Sequence, residues 1–169
     1  GEPIHAFDMG KLSGDKKSII VRNAKKGEKI TTLSDEEFTL DEDTLLIVDG
    51  NANIPIGIAG VKGGKSSEID EGTTDILIEA ANFNYVSVRK TARKLKQWTD
   101  ASIRFQNEPS EELVPYALSD VAGLIEEIAG GEVVGGLDVY EGKPKTNTVS
   151  VTVPEINKLL GGDISGDEV

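Results

Sequence analysis

The residues best suited to chemistry in this chain are one glutamate, one histidine and a short run of small polar residues. Glu79 follows an apolar run at 76–78 that predicts a buried strand, and an acidic side chain is unusual at such a position. His5 is the only histidine. Residues 99–102, with the sequence TDAS, follow a basic amphipathic stretch. A strand that ends in a carboxylate and a return loop of small polar residues could form the walls of one pocket.

The motifs of common covalent hydrolases and nucleotide-binding proteins do not occur. There is no cysteine and no GxSxG elbow, so a hydrolase built on this chain needs water as its nucleophile, held by polar groups. The glycines at 57, 60, 63 and 64 form no GxGxxG or GxxxxGK[ST] pattern. They either make tight turns or let a ligand approach backbone N–H groups, which can stabilise an oxyanion. The histidine likewise has a structural and a catalytic interpretation.

Composition and charge are typical of a soluble α/β protein and exclude a free-standing basic nucleic-acid binder. The 169 residues can form one sizeable core, and the formal net charge of −12 repels a phosphate backbone. Five of the 18 basic residues nevertheless fall within 89–96. They indicate either a solvated helix face or a contact for one end of a larger anionic partner.

Cysteine usage and hydropathy indicate the compartment. The absence of cysteine excludes disulfides and thiolate metal sites and favours a reducing compartment, so we expect a cytoplasmic protein. No apolar stretch approaches the roughly 20 residues of a membrane span. No signal-peptide pattern is visible, and the start looks truncated because Gly1 is not a natural initiator.

Local patterns predict a β-rich first half followed by helices. The DGNAN sequence at 49–53 superficially resembles a calcium loop but lacks the required later glycine and carboxylate, so a turn between two strands is the better interpretation. Strands are predicted at 18–22, 29–33, 37–40, 45–48, 54–58, 133–140 and 149–153. Helices are predicted around 88–95, 113–128 and 154–160, and residues 165–169 are typical of the opening of a further helix.

Four short motifs in order resemble the β subunit of bacterial phenylalanyl-tRNA synthetase, whose third and fourth modules form its editing domain. They are PIHAFD at 3–8, IAGVKGG at 58–64, IEAANF at 78–83 and TDASIRF at 99–105. The resemblance covers roughly residues 1–140. The chain departs from the family pattern at Lys62, where methionine is frequent, and also within 95–98 and 104–111.

The resemblance implies an α/β (α+β) fold of layered mixed β-sheets with packed helices. It implies an editing domain over 1–141 that is incomplete at its N-terminus and, from the INKLLG sequence at 156–161, a truncated start of the next module over 148–169. Between them, the sequence GKPKTN at 142–147 is typical of a linker. The resemblance also implies a hydrolytic site that clears tyrosine from phenylalanine tRNA, in which Glu79 contacts the tyrosine phenol. The remaining residues that line the implied pocket are His5, Ala59, Gly60, Thr99 and Ala101.

Roles and partners follow from the same resemblance. We assign His5 and Thr99 as catalytic residues that orient the ester and water, while N–H groups near Gly60 face the developing oxyanion. No general base is identified, and a substrate hydroxyl can take that part. The implied partners are the 3′ end of phenylalanine tRNA carrying tyrosine and the α subunit of a heterotetramer. This part of the enzyme needs no metal or cofactor, whereas the full enzyme would use ATP and Mg. Two alternatives are a free-standing or inactive tRNA-binding module and a non-enzymatic interaction module.

Overall fold

The computed structural model describes residues 1–140, 142 and 148–168 of the chain. It contains two compact units, Gly1–Val133 and a second that begins at Val134. The predicted α+β class is confirmed. The strands are β1 (Ile4–Asp8), β2 (Ile19–Asn23), β3 (Lys29–Thr31), β4 (Glu37–Thr39), β5 (Leu45–Asp49), β6 (Ile54–Ile58), β7 (Lys62–Gly63) and β8 (Ile76–Ala80). The α-helices are α1 (Tyr85–Leu95), α2 (Asp100–Phe105), α3 (Leu113–Ala129) and α4 (Val153–Leu160).

The core of the first unit lies against a four-stranded antiparallel sheet of order β2-β5-β6-β7. The central strand β5 carries three consecutive buried apolar residues, because both of its faces are covered. Asp49 ends β5, and its carboxylate accepts hydrogen bonds from the backbone N–H groups of Ser13, Asn51 and Ala52. The predicted turn at 49–53 is therefore confirmed, and its acid is used to close the turn.

A separate two-stranded sheet pairs β1 with β8 in antiparallel register. His5 lies opposite Glu79, and Phe7 lies opposite Leu77. Successive side chains of a strand point to opposite faces, so these four residues share one face of the ribbon. The other face carries the alternate residues of β8, and this strand also contacts α3.

Two short helices follow β8 and are fixed by local capping. The Asn84 side chain accepts hydrogen bonds from two backbone N–H groups at the start of α1, and Lys96 ends that helix in the left-handed conformation. Thr99 caps α2 in a reciprocal arrangement with Ser102. The two caps fix the ends of the short loop at 96–99 that joins α1 to α2.

The helix predicted at 113–128 is confirmed as α3. Pro115 is its third residue, where the missing N–H costs no helical hydrogen bond, and Gly130 ends it with a φ of +69°. No helix in the described ranges is long and apolar enough to cross a bilayer.

Two predicted strands are wrong. Residues 133–140 and 149–152 form no strand, and α4 begins at Val153, one residue before the predicted start. The alternating apolar side chains there are largely exposed, with Val134 at 93% and Val149 at 85%. A strand needs a neighbour to pair its backbone groups, and none is supplied by the described residues.

The remaining predictions for the second unit have mixed outcomes. In place of the helix opening predicted at 165–169, the structure has a turn at 166–167, bridged by hydrogen bonds between Ser165 and Glu168. The predicted linker at 142–147 lies outside the described residues except for residue 142. The domain boundaries at 141 and 148 stay predictions.

Candidate functional site

One cavity in the first unit brings together five of the six predicted site residues. Its volume is about 200 Å³, and a dry cavity of about 150 Å³ is known to accept a benzene ring. Aromatic and aliphatic side chains make up most of its wall, namely Phe7, Ile47, Ile58, Val61, Phe83 and Phe105. The predicted residues that line it are His5, Gly60, Glu79, Thr99 and Ala101.

Ala59 is the predicted site residue that the structure does not bring to the cavity wall. Its side chain is 3% exposed and belongs to the hydrophobic core, and its backbone N–H donates to the carbonyl of Leu45 at 3.0 Å. Its position lies in the turn that follows β6. Ala59 therefore supports the turn that carries Gly60.

Glu79 and His5 place two buried polar atoms in this apolar cavity. Glu79 Oε2 and His5 Nε2 are both inaccessible to solvent, and neither has a hydrogen-bond partner among the residues that the structure describes. Burial raises the pKa of Glu79 to about 7, and burial lowers the pKa of His5. Both shifts favour the uncharged form of the side chain. Both side chains line the cavity, and each has hydrogen-bonding capacity that is not in use.

Gly63 provides the space that the imidazole occupies. A Cβ atom at this position would lie 2.3 Å from His5 Cε1 and 2.6 Å from His5 Nε2, well inside van der Waals contact. The imidazole also packs edge-on against the ring of Phe7, with 4.5 Å between the ring centroids. The histidine thus lies against both a glycine and an aromatic ring.

Gly60 lines the cavity next to the rings of Phe83 and Phe105. Its φ is +68°, which favours glycine, and an added Cβ would lie 2.8 Å from Val88 and close to the rings of Phe83 and Phe105. Those two rings meet edge-on with centroids 5.2 Å apart. Within the described ranges, the Gly60 N–H makes no backbone hydrogen bond.

Thr99 has most of its hydrogen-bonding capacity already in use. Its hydroxyl donates to the carbonyl oxygen of Val61 at 2.6 Å and accepts from the backbone N–H of Ser102 at 3.1 Å. A hydroxyl has one proton and two acceptor lone pairs. Thr99 can thus accept one further bond, for example from a water molecule, but it has no proton left to donate.

Several residues that shape the site had no assigned role in the sequence analysis. The aromatic residues Phe7, Phe83 and Phe105 lie within or beside the quoted motifs, so their proximity to the motifs was the available signal. Gly63 belongs to a glycine pair whose function depends on a contact with distant His5, which no local pattern reveals. Lys62 also lines the cavity.

Four of the five basic residues within 89–96 are exposed, on α1 and at the residue that ends it. Lys94 pairs with Asp41, and the Arg89 guanidinium lies over the ring of Tyr85 at 5.7 Å from its centroid. Lys90, Arg93 and Lys96 are exposed. Both earlier interpretations, a solvated face and a contact for an anionic partner, remain open for these three side chains.

Comparison with known proteins identifies the class to which this fold and cavity belong. The B3/4 domain family matches residues 1–130, and the chain belongs to this family. It is similar to proteins named phenylalanine–tRNA ligase beta subunit, which confirms the resemblance seen in the sequence. That of Halalkalibacterium halodurans is 44% identical over 170 positions and that of Carboxydothermus hydrogenoformans is 44% identical over 170 positions. Each alignment covers 100% of this chain and 20% or 21% of the relative.

A third relative agrees with these two. The protein of the same name from Dehalococcoides mccartyi is 43% identical over 162 positions, which is 95% of this chain and 20% of the relative. The chain thus spans about a fifth of the length of the curated relatives that it matches.

Proposed function

We propose that this chain is the proofreading domain of a phenylalanyl-tRNA synthetase β subunit and hydrolyses tyrosine esters of phenylalanine tRNA. The observation that carries the proposal is a buried carboxyl oxygen of Glu79 that has no hydrogen-bond partner in the described part of the chain and lies in a cavity whose other walls are mostly apolar. A buried polar atom without a partner costs roughly 1–3 kcal/mol. Such a cost is expected where a ligand supplies the missing bond.

A separate editing site is needed because the aminoacylation pocket of the synthetase rejects tyrosine too weakly. An apolar pocket shaped for phenylalanine rejects one added hydroxyl by only ~10²-fold. A proofreading cavity must therefore recognise the hydroxyl itself. Ionised Glu79 can accept a hydrogen bond from a phenol, and protonated Glu79 can donate one to the phenol oxygen. A bare phenyl ring offers neither bond, so phenylalanine would leave the carboxyl group desolvated and unpaired.

The proposed chemistry is attack of one water molecule on the ester carbonyl carbon. The bond from that carbon to the ribose oxygen breaks, the ribose oxygen takes a proton from the attacking water, and tyrosine and the free 3′ hydroxyl are released. Thr99 can accept a hydrogen bond from the water, neutral His5 orients the ester or the water, and the Gly60 N–H faces the developing oxyanion. A hydroxyl of the substrate itself is our candidate for the general base.

The proposal assigns the partners of this chain by chemistry and similarity. The substrate is the 3′ end of phenylalanine tRNA carrying tyrosine, and the α subunit of the synthetase is the protein partner, in the cytoplasm. The editing step uses no metal or cofactor in this domain. ATP and Mg would serve aminoacylation in the whole enzyme.

Deacylation assays test this proposal directly. Tyr-tRNA(Phe) and Phe-tRNA(Phe) are incubated with the chain, with Glu79→Ala and with Glu71→Ala as a matched control on an exposed glutamate. We expect the original protein and Glu71→Ala to release tyrosine preferentially. In Glu79→Ala, the ratio of tyrosine release to phenylalanine release should fall roughly 10- to 100-fold. Decay of both esters at the uncatalysed rate with every protein would favour the alternative, an inactive tRNA-binding or interaction module of the same fold.

A further inference from the structure

A basic side chain that the proposed chemistry does not use lies at the cavity. Lys62, in the short strand β7, is the only lysine or arginine among the described residues that line it. Its ammonium group donates to the Ser34 hydroxyl at 2.8 Å, in a bond exposed to solvent. The side chain therefore connects the cavity wall to the protein surface.

The partner of this ammonium group differs from those of three other lysines in the first unit, although Lys17 also bonds a neutral acceptor, the carbonyl of Leu12. Lys29, Lys65 and Lys94 each pair with a carboxylate. Lys62 bonds a neutral hydroxyl, which holds an ammonium group less strongly than a carboxylate does. An anionic group could therefore displace this partner at little cost.

One acidic side chain does lie nearby. The Glu36 carboxylate accepts hydrogen bonds from the Ser34 hydroxyl at 2.9 Å and from the Gln97 amide at 3.1 Å. It is thus already bonded to two neutral donors, and it contacts the lysine only through the intervening serine. These bonds join the β3–β4 turn to the loop after α1, and the same turn contacts Lys62 through Ser34.

We propose that Lys62 is a positioning residue that binds the phosphodiester next to the aminoacylated ribose of the substrate. The inference rests on the proposed function. If the amino acid occupies the cavity, its ester joins it to a ribose at the mouth, and the next group of the polynucleotide is a phosphate. An ammonium group at that mouth binds the phosphate and holds the ester carbonyl over the cavity.

The test compares two small esters that differ by this phosphate. The first is 3′-tyrosyl-adenosine, which has none, and the second is the tyrosyl ester of the dinucleotide CpA, which has one. In Lys62→Met, the ratio of kcat/KM for the second ester over the first should fall roughly three- to fivefold, mainly through KM. Lys62→Arg should restore most of the ratio. Lys65→Met, a nearby lysine paired with carboxylates, should leave the ratio within about twofold of the original.

Salt dependence provides a second readout that a merely structural lysine would not move. The slope of log(kcat/KM) against log salt concentration for the dinucleotide ester should become less steep by about 0.7 in Lys62→Met. An equal loss on both esters, with no change of slope, would overturn the proposal and make Lys62 a structural residue.

Direct binding separates this inference from the proposed function. A tyrosyl amide of CpA resists hydrolysis, and its methylphosphonate version has no charge at the same linkage. If the protein hydrolyses neither ester, the proposed function fails. Lys62 is still supported if the charged amide binds several-fold more tightly than the neutral one and the difference disappears in Lys62→Met. Equal binding of both amides by the original protein refutes the proposed role of Lys62.

Discussion

Replacement of Glu79 by glutamine should change how the stability of the first unit depends on pH. Burial raises the pKa of Glu79 from 4.5 to about 7. In the unfolded chain this carboxyl group ionises from about pH 4.5 upward, whereas in the folded protein it keeps its proton until about pH 7. Since the folded state then binds more protons than the unfolded state, the stability contributed by Glu79 falls as pH rises through this interval. Glutamine keeps the shape and removes the titration.

The magnitude follows from the size of the pKa change. One pKa unit corresponds to 1.36 kcal/mol, so a rise from 4.5 to about 7 costs roughly 3 kcal/mol once the group is fully ionised. About 2 kcal/mol of that cost arises between pH 5.5 and pH 7.5. Glu79→Gln should therefore be more stable than the original protein at pH 7.5, and its advantage should shrink by about 2 kcal/mol at pH 5.5.

Urea unfolding at several pH values measures this difference. The single tryptophan, Trp98, lies in the first unit next to Thr99 and provides a fluorescence signal for that unit. His5 is present in both proteins, so its own titration largely cancels in the comparison. Glu71→Gln, at an exposed glutamate, controls for the loss of one negative charge. A stability difference that is the same at pH 5.5 and pH 7.5 would refute the assignment of a raised pKa to a desolvated carboxyl group.

Substitutions at three further positions probe how the site is held. Gly63→Ala should destabilise the fold by roughly 1–3 kcal/mol in urea unfolding, because its Cβ would overlap the imidazole of His5. Thr99→Val should cost about 1–2 kcal/mol through loss of the cap and of the bond to Val61, whereas Thr99→Ser should retain most of the stability. Phe105→Ala should cost roughly 3–5 kcal/mol because it removes a ring from the core. Stabilities equal to the original would contradict these contacts.

Local patterns were sufficient for most of the first unit. The alternation in β2–β6 and the helical spacing in α3 depend on residues a few positions apart, and the structure follows them to within two residues at each end. The same rule failed at 133–140 and 149–153, where the pattern is also apolar. A strand forms only beside another strand, and that neighbour is not encoded in the segment itself.

The composition of the site was more predictable than its interactions. Motif positions indicated His5, Glu79 and Thr99 from the sequence, and all three line one cavity. Their relationships depend on contacts between distant parts of the chain. Examples are the pairing of His5 with Glu79 and the bond from Thr99 to Val61, which commits the only proton of that hydroxyl. No spacing rule within one segment could supply these.

The β1–β8 pairing also explains how the fold tolerates an unpaired carboxyl group. The face that carries Glu79 also carries Phe7, which is almost completely buried, and Leu77, which packs against the core. Full burial of a large apolar side chain such as Phe7 contributes about 1.5–3 kcal/mol, which offsets the desolvation of Glu79. If the pairing of β1 with β8 slipped by one residue, every side chain of β1 would move to the opposite face of the sheet. The register that buries the phenylalanine is therefore the register that sets His5 opposite Glu79, so the core of the sheet specifies the geometry of the site.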